Sequence, residues 1–587
     1  MKILMLIMTL MLSLSVNAKK IVIDISEAPY FFLPDINKKD NASCLNEILS
    51  SIKSEVDDDD VIIKFKKARY DFYPHDAQQR EYYVSNHDQN QPKIIGICLE
   101  EWSNLTIDGN GSEFVFHGQM LPIAVVNSNN ISLKNFSVDF ENPHIAQVEV
   151  LNNDDNEGIT FRVEPWVNYR INENGLFETY GEGWKYQQYT GIAFENESRH
   201  IVYQTSDLWI DTKDVKEVGE RQLYAPNWKD KRLKPGTIVA MRTWQRPAPG
   251  IFLDHSNDTY IKNVTVHYAE GMGLLAQRCC DIRLNRFNVC LKENDGRYFT
   301  TQADATHFSQ CKGMILSEHG LYEGMMDDAI NVHGIYLKVK QRLDDNSLIC
   351  SYEHNQAWGF AWGDKGDSVC FVKSKTMEML NHINIINEIK PYDKEIIKGA
   401  KEFIITFEDN LPDEIQAESS IGIENLSWTP QVIFSHNIVR NNRARGALFS
   451  SPLRTVCEDN IFDHTSGTAI LLCGDCNGWY ESGAVRDLLI KNNTFINALT
   501  NMFQFTNAVI SIYPEIPDLE NQTSYFHGGK EDAIVIEKNH FITFDKPLLY
   551  AKSVDGLIFR KNKVTRNNDY EPFHWNQKEV LLEKVKD

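Results

Sequence analysis

Short runs in which apolar and polar residues alternate, each closed by a turn residue, recur along most of the chain. They read Asn104-Leu-Thr-Ile-Asp-Gly-Asn-Gly, Asn130-Ile-Ser-Leu-Lys-Asn-Phe-Ser-Val, Asp258-Thr-Tyr-Ile-Lys-Asn-Val-Thr-Val and Asp281-Ile-Arg-Leu-Asn-Arg-Phe-Asn-Val. Shorter versions follow around Asn437, Asn460, Asn493, Asn539 and Asn562. Alternation over a few positions is the mark of a strand with one buried face. The spacing adds more: Asp258 to Asp281, Asn437 to Asn460 and Asn539 to Asn562 are each 23 residues. A strand that returns in phase after about two dozen residues, with no amphipathic helix between, is one turn of a parallel β-helix. An antiparallel sandwich would also show many short strands, but it gives no reason for an in-phase repeat.

Two stretches break the rhythm, 143–250 and 336–430. Each holds strand-like runs without the Asn phrases, and Gly236-Thr-Ile-Val-Ala-Met and Gly366-Asp-Ser-Val-Cys-Phe occupy similar places in them. The expected fold is therefore all-β: a right-handed parallel β-helix with two small inserted β-barrel-like domains. Cys44-Leu-Asn-Glu-Ile-Leu-Ser-Ser-Ile-Lys has helical spacing and is expected to cap the first coil. The divisions are 1–18 as a signal peptide, 19–142 as cap and first coils, 251–335 as middle coils and 431–587 as final coils.

Met1-Lys2, an apolar run from Ile3 to Leu14 and Ser15-Val16-Asn17-Ala18 predict export, with a periplasmic or extracellular product. No membrane anchor is expected. With 60 Lys+Arg against 82 Asp+Glu, a formal net charge of −22 argues against a nucleic-acid partner. The 11 cysteines are an odd, scattered set and read as buried fillers. Cys473-Gly-Asp-Cys476 lacks the second pair of a zinc ribbon. The sequence leaves oligomeric state open, and a homodimer joined through the insertions is compatible with it.

The densest acidic constellation lies between the insertions. Ala303-Asp304-Ala305-Thr306 is echoed by Asp327-Asp328-Ala329-Ile330, so Asp304 matches Asp328 at an offset of 24, or Asp327 at 23. Stacking would bring the matched β-carbons to roughly 5 Å, close enough for one carboxyl to hold a proton near neutral pH. A carboxylic acid beside a carboxylate is what acetal cleavage requires. The bland reading is that Asp is common in turns, and adjacent Asp327 and Asp328 share a site only if a turn or bulge intervenes. Trp479 and Glu481, in a Gly-rich loop, and His333, just after the Asp pair, are the candidate sugar-binding residues. Trp358, Trp362, Arg443 and Arg445 are weaker ones.

Taken together, the Asn-Leu-Thr-Ile-Asp-Gly-Asn-Gly phrase, the single Asp followed a coil later by Asp-Asp, the two insertions and Met325-Met-Asp-Asp-Ala-Ile-Asn-Val-His-Gly334 resemble glycoside hydrolase family 110. Those are exo-acting α-1,3-galactosidases. The resemblance implies removal of terminal α-1,3-linked galactose from blood-group B type and linear Gal-α-1,3-Gal glycans, with inversion and with no metal or other cofactor. The polygalacturonases of glycoside hydrolase family 28 share the Asp then Asp-Asp arrangement. That likeness makes Asp327 the general acid, with Asp304 and Asp328 holding the water as general base. Ala-Asp-Ala here in place of their Asn-Thr-Asp speaks against a uronic-acid substrate. Two other readings stand beside it: a Ca²⁺-dependent lyase using Lys312 or Arg297, and a non-catalytic carbohydrate-binding solenoid.

Overall fold

The computed structural model describes residues 19–35, 39–56, 59–154, 157–416 and 420–586. The expected signal peptide lies outside them. Parallel strands wind into a β-helix whose sheets have 19 and 14 strands. Lys312–Glu318, Pro430–Ser435, Thr455–Glu458, Leu488–Lys491, Ile534–Glu537 and Leu557–Arg560 stack along one side. A second stack runs Leu274–Gln277, Thr306–Ser309, Ile330–Ile335, Ala447–Phe449, Ile470–Leu472 and Ile510–Ile512.

The recurring Asn phrases do two different jobs. In the final coils Asn437, Asn460, Asn493 and Asn539 are buried, and each main-chain N–H donates to the side-chain oxygen of the Asn one coil on, at 2.9–3.0 Å. Their amides donate in turn to backbone carbonyls, so a polar ladder closes its own hydrogen bonds inside the core. In the earlier coils Asn104, Asn130, Asp258 and Asp281 are instead left-handed turn residues, φ 51–56°. Asn and Asp tolerate that region better than other side chains. Beside the ladder, Phe462, Phe495 and Phe541 stack at centroid distances of 5.3 and 5.0 Å.

The helix Asn41–Glu55 lays Ala42, Leu45, Ile48, Leu49 and Ile52 against the first coil. Asn46 ties it down, donating to the Gly96 carbonyl and accepting from the Cys98 N–H, both at 2.9 Å. Between Ala146 and Arg242 the chain forms a seven-stranded antiparallel sheet around its own core. Between Leu337 and Asn425 six strands close into a barrel. The coils ignore both excursions: Ile123 pairs in register with Ile251, and Ile330 with Ala447. None of the 11 cysteines is in a disulfide. Among the described residues no helix is long and apolar enough to cross a membrane.

Candidate active site

Thr306 pairs with Ile330 and His307 with Asn331, a register that sets Asp304 over Asp328. Ala305 N–H donates to the Asp328 carbonyl at 2.7 Å, which fixes the two corners on each other. Asp327 and Asp328 precede the strand Ile330–Ile335, in an irregular corner where strand alternation does not apply. Both therefore reach one site. One oxygen from each of Asp304, Asp327 and Asp328 lies within 4.8 Å of the others.

The three differ in access. Asp328 is 0% exposed, Asp304 3% and Asp327 7%. Asp304 and Asp327 line a cavity of about 400 Å³, together with Arg246, Arg443, Arg445, Glu481, Trp244 and Trp479. Asn86, His307, Asn331, Gln356 and the segment 503–505 are also among its lining residues. Of the six residues singled out from the sequence, four face this cavity, while Asp328 and His333 lie directly behind its wall.

Arginines compensate the buried acids. Arg445 pairs with Asp328 through Nε at 2.8 Å and donates to its other oxygen from Nη2 at 3.1 Å. Asp327 receives longer contacts, 3.2 Å from Arg246, 3.2 Å from Arg443 and 3.3 Å from Arg445. Burial alone would raise the Asp327 pKa, but Arg445, Arg443, Arg246 and Arg242 outweigh it and hold this carboxyl down at about 2. Asp304 goes the other way. Burial and the Asp327 charge push it up to about 8. At neutral pH the cavity thus presents a protonated carboxyl beside an ionised one. Arg443 is itself anchored by Asp207 of the first insertion at 2.7 and 2.6 Å. Burial, with Asp327 and Asp304 beside it, raises the Asp328 carboxyl well above the usual carboxylate range in spite of Arg445.

Behind Asp304 runs a line of imidazoles. Asp304 Oδ2 lies 2.7 Å from His307 Nδ1, His307 Nε2 is 2.8 Å from His333 Nε2, and His333 Nδ1 is 2.6 Å from the Gly334 carbonyl. Glu481 is held beside them because Ile335 pairs with Glu481 and Gly334 with Ser482. A β-carbon on Gly334 would stand 2.4 Å from Ser482 Oγ, so glycine permits that approach. Asn86 donates to Glu481 at 3.0 Å. Trp479 is set by a tight turn in which Asp475 accepts the N–H groups of Asn477, Gly478 and Trp479 at 2.7–2.8 Å. Its ring stacks on His354 at 4.5 Å.

Two carboxylate and imidazole clusters have the composition of a metal site. Two nitrogens on one tetrahedral zinc would sit about 3.3 Å apart. The His307–His333 separation of 2.8 Å is that of a hydrogen bond. In the aspartate cluster the positive charge is already supplied by guanidinium groups.

Several sequence candidates belong elsewhere. Trp362 is fully buried in the barrel core, and Trp358 packs against Tyr83; neither lines the cavity. Arg297 is locked to Asp139 at 2.9 and 2.7 Å, and the Lys312 ammonium lies 4.0 Å over Trp428. A lyase base is therefore not supplied by either. Arg246, Trp244, Asp207, Asn86 and His307 escaped the sequence reading, since they arrive from an insertion, a distant loop or the interior of a strand.

The comparisons agree with this picture. Residues 146–239 match the family model for GLAA-B beta-barrel domain I, and residues 347–421 that for GLAA-B beta-barrel domain II. An α-1,3-galactosidase B of Bacteroides fragilis is 59% identical over 99% of this chain and 98% of its own. One from Phocaeicola vulgatus is 60% identical over 94% of this chain and 93% of its own. The tailspike protein of bacteriophage HK620 superposes over 94% of this chain and 62% of its own, with 9% identity and a TM-score of 0.38. With full-length relatives at this identity, the chain belongs to the α-1,3-galactosidase B family and is a glycoside hydrolase.

Proposed function

We propose that this α-galactosidase removes single terminal α-1,3-linked galactose units from blood-group B type branched and linear Gal-α-1,3-Gal glycans, with inversion, as an exported protein. The observation that carries the reading is the cluster of three aspartates at the wall of an arginine-lined cavity. Trp244 and Trp479 offer faces for the apolar side of a sugar ring, and Glu481, Gln356 and the guanidinium groups offer directional partners for hydroxyls. The relatives' names supply the α-1,3 linkage.

The closeness of the acids, within 4.8 Å, falls on the retaining side of the usual separation rule. Retention needs an unencumbered carboxylate to attack carbon. Here Asp328 is sealed from the cavity, and the Asp327 charge is shared with three guanidinium groups. A water held by the cluster is the better nucleophile, in keeping with the inversion that the family likeness implies. Among the protein's own groups the proton rests on the Asp304 side. For Asp327 to donate it, as the polygalacturonase likeness implies, the proton passes within the cluster when sugar binds.

Galactose release from Gal-α-1,3-Gal in the presence of a chelator, followed by NMR of the first anomer formed, tests substrate and stereochemistry together. α-Galactosyl fluoride, whose leaving group needs no proton, assigns the acid: the variant rescued by it, Asp327→Asn or Asp304→Asn, has lost the donor. Absence of galactose release from either glycan by the wild-type protein would overturn the substrate reading.

A further inference from the structure

The sheet of the first insertion turns one face to its own core and the other to the β-helix. Its strands Leu208–Trp209, Thr190–Phe194 and Ile238–Arg242 lie side by side, with Leu208–Trp209 at the sheet edge. Leu208 pairs with Gly191 and Gly191 with Met241, and both Leu208 and Met241 belong to the insertion's core. The next row is Trp209, Thr190 and Arg242, and residues paired across antiparallel strands share a face. That face is the one that meets the β-helix, since Ile192 and Ala240 on it pack into the helix core.

Arg242, at one end of this row, reaches the catalytic corners. It donates to the Gln302 carbonyl at 2.9 Å, two residues before Asp304, and to the Met326 carbonyl at 3.4 Å, one residue before Asp327. Its guanidinium lies 4.5 Å from the ring of Trp244, which lines the cavity yet is 36% exposed and so stands at its mouth. Trp209, at the other end, is two strand spacings from Arg242, about 10 Å. Thr190 and Arg242 are 1% exposed, whereas Trp209 is 76% exposed, more than any other large apolar side chain among the described residues. The chain leading into its strand is fixed to the cavity wall. Asp207 pairs with Arg443 at 2.7 and 2.6 Å, Ser206 Oγ donates to the Met502 carbonyl at 2.6 Å, and Ser206 N–H donates to Asn501 at 3.1 Å. Arg443 and the segment 503–505 line the cavity, so the residues that shape the site also position this indole.

We infer that Trp209 is a stacking platform for the third sugar of a linear glycan, counted from the galactose that is removed. The inference rests on the glycosidase reading above and extends it to the part of the chain that leaves. The terminal galactose occupies the cavity, and the second ring, joined through the scissile oxygen, lies at the mouth beside Trp244. A platform about 10 Å along the sheet from Arg242 is beyond that second ring and meets the next one. An exposed indole face takes the apolar side of a pyranose, and here it does so without touching the aspartates. Trp209 therefore selects for chain length and has no part in the chemical step.

The test compares galactose release from Gal-α-1,3-Gal and from the linear trisaccharide Gal-α-1,3-Gal-β-1,4-Glc. For the wild-type protein kcat/KM should be about tenfold higher on the trisaccharide. Trp209→Ala should abolish that preference and leave the disaccharide kinetics unchanged, while Trp209→Phe, which keeps a ring, should retain most of it. A wild type that does not prefer the trisaccharide, a Trp209→Ala protein that keeps the wild-type preference, or equal losses on both sugars overturns the inference. Should the wild type release galactose from neither sugar, the glycosidase reading fails separately. The platform is then read by calorimetric titration of the wild-type protein and Trp209→Ala with the same two sugars. Tighter binding of the trisaccharide that Trp209→Ala abolishes supports it, and equal binding of the two sugars, or none, overturns it.

Discussion

Two substitutions of the same shape, Asp327→Asn and Asp304→Asn, should abolish turnover alike and yet move stability in opposite directions. An Asn is the neutral stand-in for a protonated carboxyl. Asp327 is lowered from 3.8 to about 2, and at roughly 1.4 kcal/mol per unit its ionised form stabilises the fold by about 2 kcal/mol. That contribution is complete above the unfolded value near 4 and disappears as pH falls through 2. Asp327→Asn loses it at neutral pH and leaves Arg246, Arg443 and Arg445 with one fewer counter-charge. Asp304 is raised to about 8, so its folded form is penalised as pH climbs from 3.8 towards 8. Asp304→Asn removes that penalty, and its amide N–H can still donate to His307 Nδ1. Unfolding by urea at pH 7 should therefore show Asp327→Asn below and Asp304→Asn above the wild type, with the Asp304→Asn gain absent at pH 3. Activity should fall by at least about 10²-fold in both. A less stable Asp304→Asn or a more stable Asp327→Asn at pH 7 would refute this charge assignment.

Asp207→Ala should lower kcat/KM by about tenfold through Arg443, although Asp207 does not line the cavity; unchanged kinetics would detach the first insertion from the site. Trp479→Ala should raise KM by about tenfold with kcat nearly intact, measured by initial rates, because it removes a sugar-facing ring and leaves the aspartates alone. Asn460→Ala should cost about 1–3 kcal/mol in urea unfolding, since Asn437 N–H loses its acceptor inside the core, while the activity of the folded fraction stays at the wild-type level.

What was legible in the sequence was whatever repeats along it. The echo of Ala303-Asp304-Ala305 in Asp327-Asp328-Ala329 carries the stacking register, because parallel coils convert a fixed offset into contact. The Asn phrases gave the winding, but they concealed two roles that share one residue type. An asparagine in the left-handed turn at 130 and one in the ladder at 460 look alike in a string. Of the charges that tune the acids, Arg443 and Arg445 showed only as weak sugar-binding candidates, and Arg246 not at all. Arg246 comes from the return of an insertion, Arg443 and Arg445 from beyond the second one, and Asn86 from a loop before the first long coils. Trp362 misled because an aromatic in a barrel satisfies its indole on a backbone carbonyl, here Ile335 at 2.8 Å, as readily as it meets a sugar.

The register also explains how a barrel can be inserted within the site without dispersing it. Ile330 pairs with Ala447, and the chain leaves and re-enters the β-helix beside the same coil. Three successive corners therefore stack in order: the one holding Asp304, the one holding Asp327 and Asp328, and the one holding Arg443 and Arg445. Ala329 N–H donates to the Gly446 carbonyl at 2.9 Å, and Arg443 N–H to Met325 at 3.0 Å, so the arginine corner is bonded to the aspartate corner by main chain. Side-chain pairing adds to a spacing that the backbone has already set. The acid cluster is affordable in a dry interior only because this third corner is there. Without Arg443 and Arg445, the two strongest influences holding Asp327 ionised would be gone, and burial would raise it as it raises Asp304 and Asp328, leaving the cluster no carboxylate to take the proton from water.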